Sequence, residues 1–103
     1  MEVWHNYYGY VDALAGVWCG DTINREFALF AADYYGSGSG REDIKAAQTY
    51  FAIGLADIQA FDFASASANT VTARSFAEKT DDYLWRGRIL LCDSRFYNFY
   101  SRQ

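Results

Sequence analysis

With 103 residues, the chain has room for one domain with a single core, spanning residues 1–103. Hydrophobic residues make up 51% of the chain and aromatic residues 19%, which supplies enough burial free energy to exclude a disordered protein. This aromatic share exceeds what one small core needs. We therefore expect the surplus rings to line a cavity, contact a partner or lie half exposed.

The charge balance argues against nucleic acid as a partner. The formal net charge is -4, and the 13 acidic and 9 basic residues are scattered along the chain instead of forming a basic patch. The N-terminal sequence lacks the basic and apolar segments of a signal peptide, and no apolar run reaches the ~18 residues that span a bilayer. These features predict a soluble, cytoplasmic protein that does not bind membranes.

Metal and cofactor sites are not expected either. A zinc site needs about four ligands, whereas His5 is the only histidine and the two cysteines, Cys19 and Cys92, form no CxxC pair. The cysteines are interpreted as buried free thiols or as a long-range disulfide. No phosphate-binding loop is present, because the glycine-rich tract lacks the Lys-Ser/Thr of a P-loop.

The first half of the chain has the apolar spacing of three helices. Large apolar residues recur every three or four positions from Val3 to Trp18, from Ile23 to Tyr34 and from Ile44 to Leu55. Asp21 or Thr22 is the expected cap of the second helix, and Ser39 with Glu42 matches a capping box for the third. Gly54 is expected to end the third helix.

A glycine/serine tract at residues 36–40 separates the second predicted helix from the third. Alternating glycine and serine is typical of flexible joints. The tract is therefore interpreted as a native loop or as an engineered replacement of one.

The second half of the chain shows a period of two, which is typical of strands. Polar and apolar residues alternate over 57–64 and 71–78, with turns predicted at 67–70 and 79–82 and a long strand over 83–100. The predicted fold class is α+β, with three N-terminal helices packed on a curved antiparallel sheet. Because the last strand is aromatic on both faces, including Tyr97 and Phe99, we expect a homodimer through this sheet.

Two segments carry a family resemblance. "CGDTINREFALFAADYY" and "GREDIKAAQTYF" resemble helix motifs of the nuclear transport factor two-like superfamily, which includes SnoaL-like cyclases and ketosteroid isomerase. The resemblance implies a cone-like, cystatin-like roll that encloses an apolar pocket. In ketosteroid isomerase-like members an Asp after the second helix shuttles protons and a Tyr on the first helix polarises the substrate, and these roles would fall on Asp33 and on Tyr10 or Tyr7.

Two further candidates for acid/base chemistry come from the residues themselves. His5 is the only side chain with an unperturbed pKa near neutrality, although a lone histidine near a terminus is more often a surface residue. Asp62 interrupts an alternating strand on an apolar face, where it would need a raised pKa or a partner such as Arg74. Both residues are candidate proton-transfer groups.

These observations leave two functional hypotheses. In the first, the protein binds an apolar cyclic small molecule, with isomerase-like or cyclase-like chemistry and no cofactor, in a pocket lined by aromatic residues: Trp4, Tyr8, Tyr34, Phe51, Phe61 and Trp85. In the second, it is a non-enzymatic interaction, inhibitor or accessory module that uses its aromatic sheet face. The direction of Asp62 discriminates between them, since a cavity-facing carboxylate favours the enzyme and a solvent-facing one favours association.

Overall fold

A computed structural model describes residues 2–19, 24–37, 40–84 and 87, and for residues 2–5 and 17–19 it describes the helix alone. The described residues form four helices and contain no strand: α1 (Glu2–Cys19), α2 (Arg25–Ser37), α3 (Asp43–Gln59) and α4 (Phe63–Ala77). The predicted α+β fold is therefore wrong for the described part of the chain. The nuclear transport factor two-like cone fails with it, because that cone requires a sheet.

The three helices predicted for the first half correspond to α1, α2 and α3, but their ends differ from the prediction. Asn24 caps α2, because its side-chain oxygen accepts the backbone N–H of Phe27 at 3.1 Å. The helix then continues to Ser37, so that two residues of the predicted 36–40 loop are helical. Gly54 does not end α3 but lies buried within it, where an added Cβ would come within 2.8 Å of the Thr70 side chain.

No strand forms in the segments predicted as strands over 57–64 and 71–78, because α3 runs to Gln59 and α4 covers Phe63–Ala77. The buried residues Ala66, Thr70, Ala73 and Ala77 follow helical spacing and form the inner side of α4. The apparent period of two came from short alternations around Phe61 and Val71, and such short runs do not separate a strand from a helix. The predicted turn at 67–70 lies inside α4.

A tight joint connects α3 to α4. The N–H of Asp62 donates to the carbonyl of Asp57 at 2.9 Å and the N–H of Phe61 to that of Ile58 at 3.0 Å, which is the Schellman pattern of a helix end. Phe61 occupies the left-handed position, with φ of 61°, where glycine is usual. Asp62 then caps α4 by accepting the N–H of Ser65 at 3.2 Å.

Helix α3 is the central element, since it packs against α1, α2 and α4. Alanines make up most of the core, and the largest side chains that are fully buried are those of Ile53, Thr49 and Thr70. Phe51 is also buried, among alanines of α3 and α4. A core composed mainly of small residues lets helix backbones approach closely, and it leaves room for few large rings besides Phe51 and Tyr35.

Most of the predicted C-terminal strand lies outside the described residues. Of the range 83–100, the structure describes residues 83, 84 and 87, and none of them is in a strand. Tyr97 and Phe99, on which the predicted homodimer depended, lie outside the described residues, as does Cys92. The sheet-mediated homodimer stays a prediction without support from the described part of the chain.

Candidate interaction surface

The contact between α1 and α2 is built from small residues. Gly9 faces α2, and a Cβ added there would lie 2.4 Å from the carbonyl oxygen of Phe27 and 3.2 Å from the Cβ of Ala31. One turn later on α1, Asp12 accepts the N–H of Asn24 at 2.8 Å. Because α1 contacts earlier residues of α2 as its own numbering rises, the two helices are antiparallel.

Several large apolar side chains of α1 and α2 lie on the outside of this pair, whereas Tyr35 is buried. Tyr7, Tyr8 and Val11 of α1 and Phe27 and Phe30 of α2 are between 41% and 68% exposed. Helical spacing places Tyr8 away from the buried Ala13 of α1 and Phe30 away from the buried Ala28 of α2. We call these five exposed residues the aromatic face.

Acidic side chains accompany the aromatic face. Asp12 on α1 and Glu26 and Asp33 on α2 are all exposed, and we call these three residues the acidic rim. Helix α1 contains no lysine or arginine, and the only one in α2 is Arg25. The outer surface of the helix pair therefore combines apolar area with a negative potential.

Arg25 forms an ion pair with a buried carboxylate of α3. Asp57 of α3 is 3% exposed and lies 3.0 Å from the Nε of Arg25, while its second oxygen accepts the side-chain N–H of Asn69 at 2.8 Å. Both carboxylate oxygens thus have a donor, as burial of a charge requires. This arrangement ties the start of α2 to α3 and α4, so Asp57 is interpreted as structural.

A second polar cluster links α1, α2 and α3. The hydroxyl of Tyr10 donates to the Oε1 of the buried Gln48 at 2.5 Å, and the Nζ of Lys45 lies 5.7 Å from the ring centroids of both Tyr10 and Tyr35. Lys45 is also paired with Glu42 at 2.8 Å. These contacts hold the inner sides of the helices in register.

Burial sets the titration of this cluster. Desolvation raises the pKa of Tyr10 above its ordinary value, and the nearby Lys45 ammonium partly opposes that shift. Desolvation also raises the pKa of Tyr35, with Glu42 adding to the effect. Both phenols are held in the protonated form, which makes Tyr10 a hydrogen-bond donor and not a base.

The four residues predicted to carry acid/base chemistry are divided among three helices: His5 and Tyr10 are on α1, Asp33 is on α2 and Asp62 caps α4. Asp62 is exposed at the start of α4, and Arg74, its predicted partner, pairs instead with Glu78 at 3.9 Å. Asp33 is exposed on α2 and accepts the hydroxyl of Ser37 at 3.3 Å. Tyr10 donates to α3, and the side chain of His5 on α1 lies outside the described residues. No contact joins the three described side chains.

The described members of the six predicted pocket residues lie in different environments. Phe51 is in the core, Tyr34 is half buried with its ring over Gly40, and Tyr8 and Phe61 are exposed. The side chain of Trp4 and all of Trp85 lie outside the described residues. The described members of the set therefore do not share one cavity wall, and their role as ligand-binding residues stays a prediction.

Sequence reasoning expected surplus rings to line a cavity, contact a partner or lie half exposed, but it placed Tyr8 in a ligand pocket and did not identify the aromatic face. A signal for this face was present, since Gly9, Ala13 and Gly16 are small residues at helical spacing on α1 and all are buried. Such a stripe permits close helix contact. It was overlooked because small residues carry little weight in a hydrophobic pattern.

Two searches of the geometry bear on ligands and membranes. Within the described residues, no group of three or more His, Cys, Asp or Glu side chains is arranged to hold a metal ion. Among the same residues, no helix combines the length and the apolar character needed to cross a bilayer. No known protein family, no curated protein and no solved structure matches the chain, so the resemblance to nuclear transport factor two-like proteins stays a prediction.

Proposed function

We propose that the protein is a non-enzymatic interaction module that binds another protein through the aromatic face. The observation that carries this proposal is that α1 and α2 meet through glycine and alanine, while the rings of the aromatic face remain exposed. Single exposed apolar residues are ordinary, but several on two packed helices mark a surface that a partner covers. Aromatic side chains are also enriched among the residues that dominate binding energy.

The size of the aromatic face suits a reversible complex. If a fully exposed aromatic side chain presents about 200 Å², these five half-exposed side chains offer roughly 400 to 500 Å² of apolar surface. Burying that area at ~25 cal/mol per Å² yields about 10 kcal/mol before any cost of association. Association itself costs ~4–15 kcal/mol, so polar contacts at the rim have to contribute as well.

The positions of the candidate acids favour association over a pocket enzyme. Asp62 faces solvent and caps α4, so its carboxylate is not enclosed in an apolar pocket. The hydroxyl of Tyr10 already donates its hydrogen bond to Gln48 and so is not directed at a ligand. The alternative, an apolar-ligand pocket with isomerase-like chemistry, stays a prediction that no contact among these residues supports.

Display of a library of helical peptides on the folded protein would test the proposal. Peptides enriched by the protein should lose at least tenfold in affinity for the Tyr8→Ser and Phe30→Ser variants, because each removes an exposed ring of the face. Val71→Ser is the matched control, since Val71 is an exposed apolar residue of α4. Circular dichroism would confirm that all three variants remain helical.

Three results would count against this function. The first is that enriched peptides bind all variants equally, the second is that their binding depends on Val71, and the third is that no peptide is enriched. In the first two cases the binding surface lies elsewhere on the molecule. In the third the exposed rings do not serve association with a peptide segment.

A further inference from the structure

We infer that the partner presents a cationic amphipathic helix to the aromatic face. This inference rests on the proposed function and adds the chemistry of the partner. Two features of the described residues carry it: the antiparallel arrangement of α1 and α2, and the sign of the charges that accompany their exposed rings.

The helix pair offers a surface on which a third helix can pack. The inner side of α1 and α2 is already covered by α3, whereas their outer side carries the aromatic face. A helix laid along that outer side would complete a second layer of helix packing, by the same fit of ridges into grooves. Helix α2 has 13 residues and is about 20 Å long, which matches a partner helix of roughly three to four turns.

The exposed charges of α1 and α2 favour a positively charged partner helix. The three residues of the acidic rim are exposed, α1 has no lysine or arginine, and the only such residue of α2 is held by Asp57. Lysine or arginine at the edges of an apolar partner helix would lie within a Debye length of about 10 Å from these carboxylates. Such a partner would associate with a higher rate constant and would form additional contacts with the acidic rim.

The same charges disfavour two other occupants. A second copy of the chain would bring its own acidic rim against the first, and like charges at an interface oppose association. A membrane surface rich in anionic lipids would be repelled, since interfacial binding of that kind depends on basic side chains. The experiment below therefore also measures dimerisation and binding to lipid vesicles.

The test uses two synthetic 16-residue amphipathic helices with the same leucine/tryptophan face and with either lysine or glutamate at its edges. By fluorescence anisotropy at low salt, the lysine peptide should bind at least tenfold more tightly than the glutamate peptide. In about 0.5 M salt the difference should shrink, because screening weakens contacts between exposed charges. Phe30→Ser should weaken the lysine peptide, as the proposed function requires.

A matched pair of double variants isolates the charge. Glu26→Gln with Asp33→Asn should weaken binding of the lysine peptide about three- to tenfold, which corresponds to modest rim contacts. Glu78→Gln with Asp81→Asn removes the same charge from exposed positions after α4 and should leave binding unchanged. Equal loss in both double variants would show that net charge, not the acidic rim, is responsible, and would overturn the inference.

The remaining outcomes separate this inference from the function it rests on. If both peptides bind equally and both depend on Phe30, the cationic partner is wrong but the aromatic face remains a protein-binding surface. If neither peptide binds, or if Phe30→Ser has no effect, both proposals fail. Phe30-dependent dimerisation in light scattering, or Phe30-dependent binding to phosphatidylcholine/phosphatidylserine vesicles, would assign the face to a second copy or to lipid and overturn the inference.

Discussion

Replacing Gly9 by alanine should loosen the contact between α1 and α2. The added Cβ would lie 2.4 Å from the carbonyl oxygen of Phe27 and 3.0 Å from its carbonyl carbon. Ordinary contact begins near 3.4 Å, so α1 would have to move away from α2 by about 1 Å. The obstructing atoms belong to the backbone of α2 and cannot rotate aside as a side chain can.

Two effects of opposite sign decide the magnitude. Alanine improves the helix propensity of α1 by about 1 kcal/mol relative to glycine. Overpacking costs about 1–3 kcal/mol, and a gap of about 1 Å along the helix pair also forfeits up to half of the dispersion energy of the separated atoms. We expect Gly9→Ala to lower the free energy of unfolding by about 1–2 kcal/mol, or the Tm by about 5–10 °C.

Urea and thermal unfolding followed by circular dichroism would measure this change. Gly87→Ala is the control, because an added Cβ there meets no atom within 4 Å. It should leave the stability unchanged or slightly raised. If Gly9→Ala is as stable as the parent protein, the close approach of α1 and α2 does not exist as described, and the outward position of the aromatic face loses its structural basis.

Three other changes test separate parts of the structure. Asp57→Ala should lower the free energy of unfolding by about 1–3 kcal/mol, because it leaves the Arg25 guanidinium and the half-buried Asn69 amide without their shared acceptor; a loss below about 0.5 kcal/mol in urea titration would contradict the structural role of Asp57. Phe61→Gly should be at least as stable as the parent protein, whereas Phe61→Val should be less stable, since a β-branched residue fits the left-handed conformation poorly; the opposite order of Tm values would exclude that conformation. Burial raises the pKa of Tyr10 in the folded state. The protonated phenol therefore contributes its full stabilisation below about pH 10, which is the pKa of tyrosine in the unfolded chain. This stabilisation is lost as the pH rises through the pKa of the folded state. Urea midpoints at pH 8 and pH 11 should show this loss, and Tyr10→Phe should be less stable at pH 8 but decline less with pH; an equal decline in both proteins would refute the assignment.

The first three helices could be predicted from the sequence because the spacing of their apolar residues is a local signal. The three- to four-residue period of α1, α2 and α3 reflects helix geometry itself, which does not depend on what each helix contacts. The prediction for the second half was wrong because the alternation over 57–64 and 71–78 is short and includes small residues such as Ala60, Ala64 and Ala73, which satisfy a period of two and a helical period equally well. The capping role of Asp62 was readable in principle, since an Asp just before an alanine-rich run is a common helix start.

The sequence by itself determined that the chain is acidic, rich in aromatic residues, short of metal ligands and helical in its first half. Only the tertiary structure decided which side of α1 and α2 faces inward, and therefore where the aromatic surplus lies. The physical reason is that a hydrophobic pattern ranks side chains by their transfer free energy, which favours burying the largest. Packing also rewards close backbone approach, and at Gly9 and Ala31 that close approach is made with glycine and alanine, leaving Tyr8 and Phe30 on the outside.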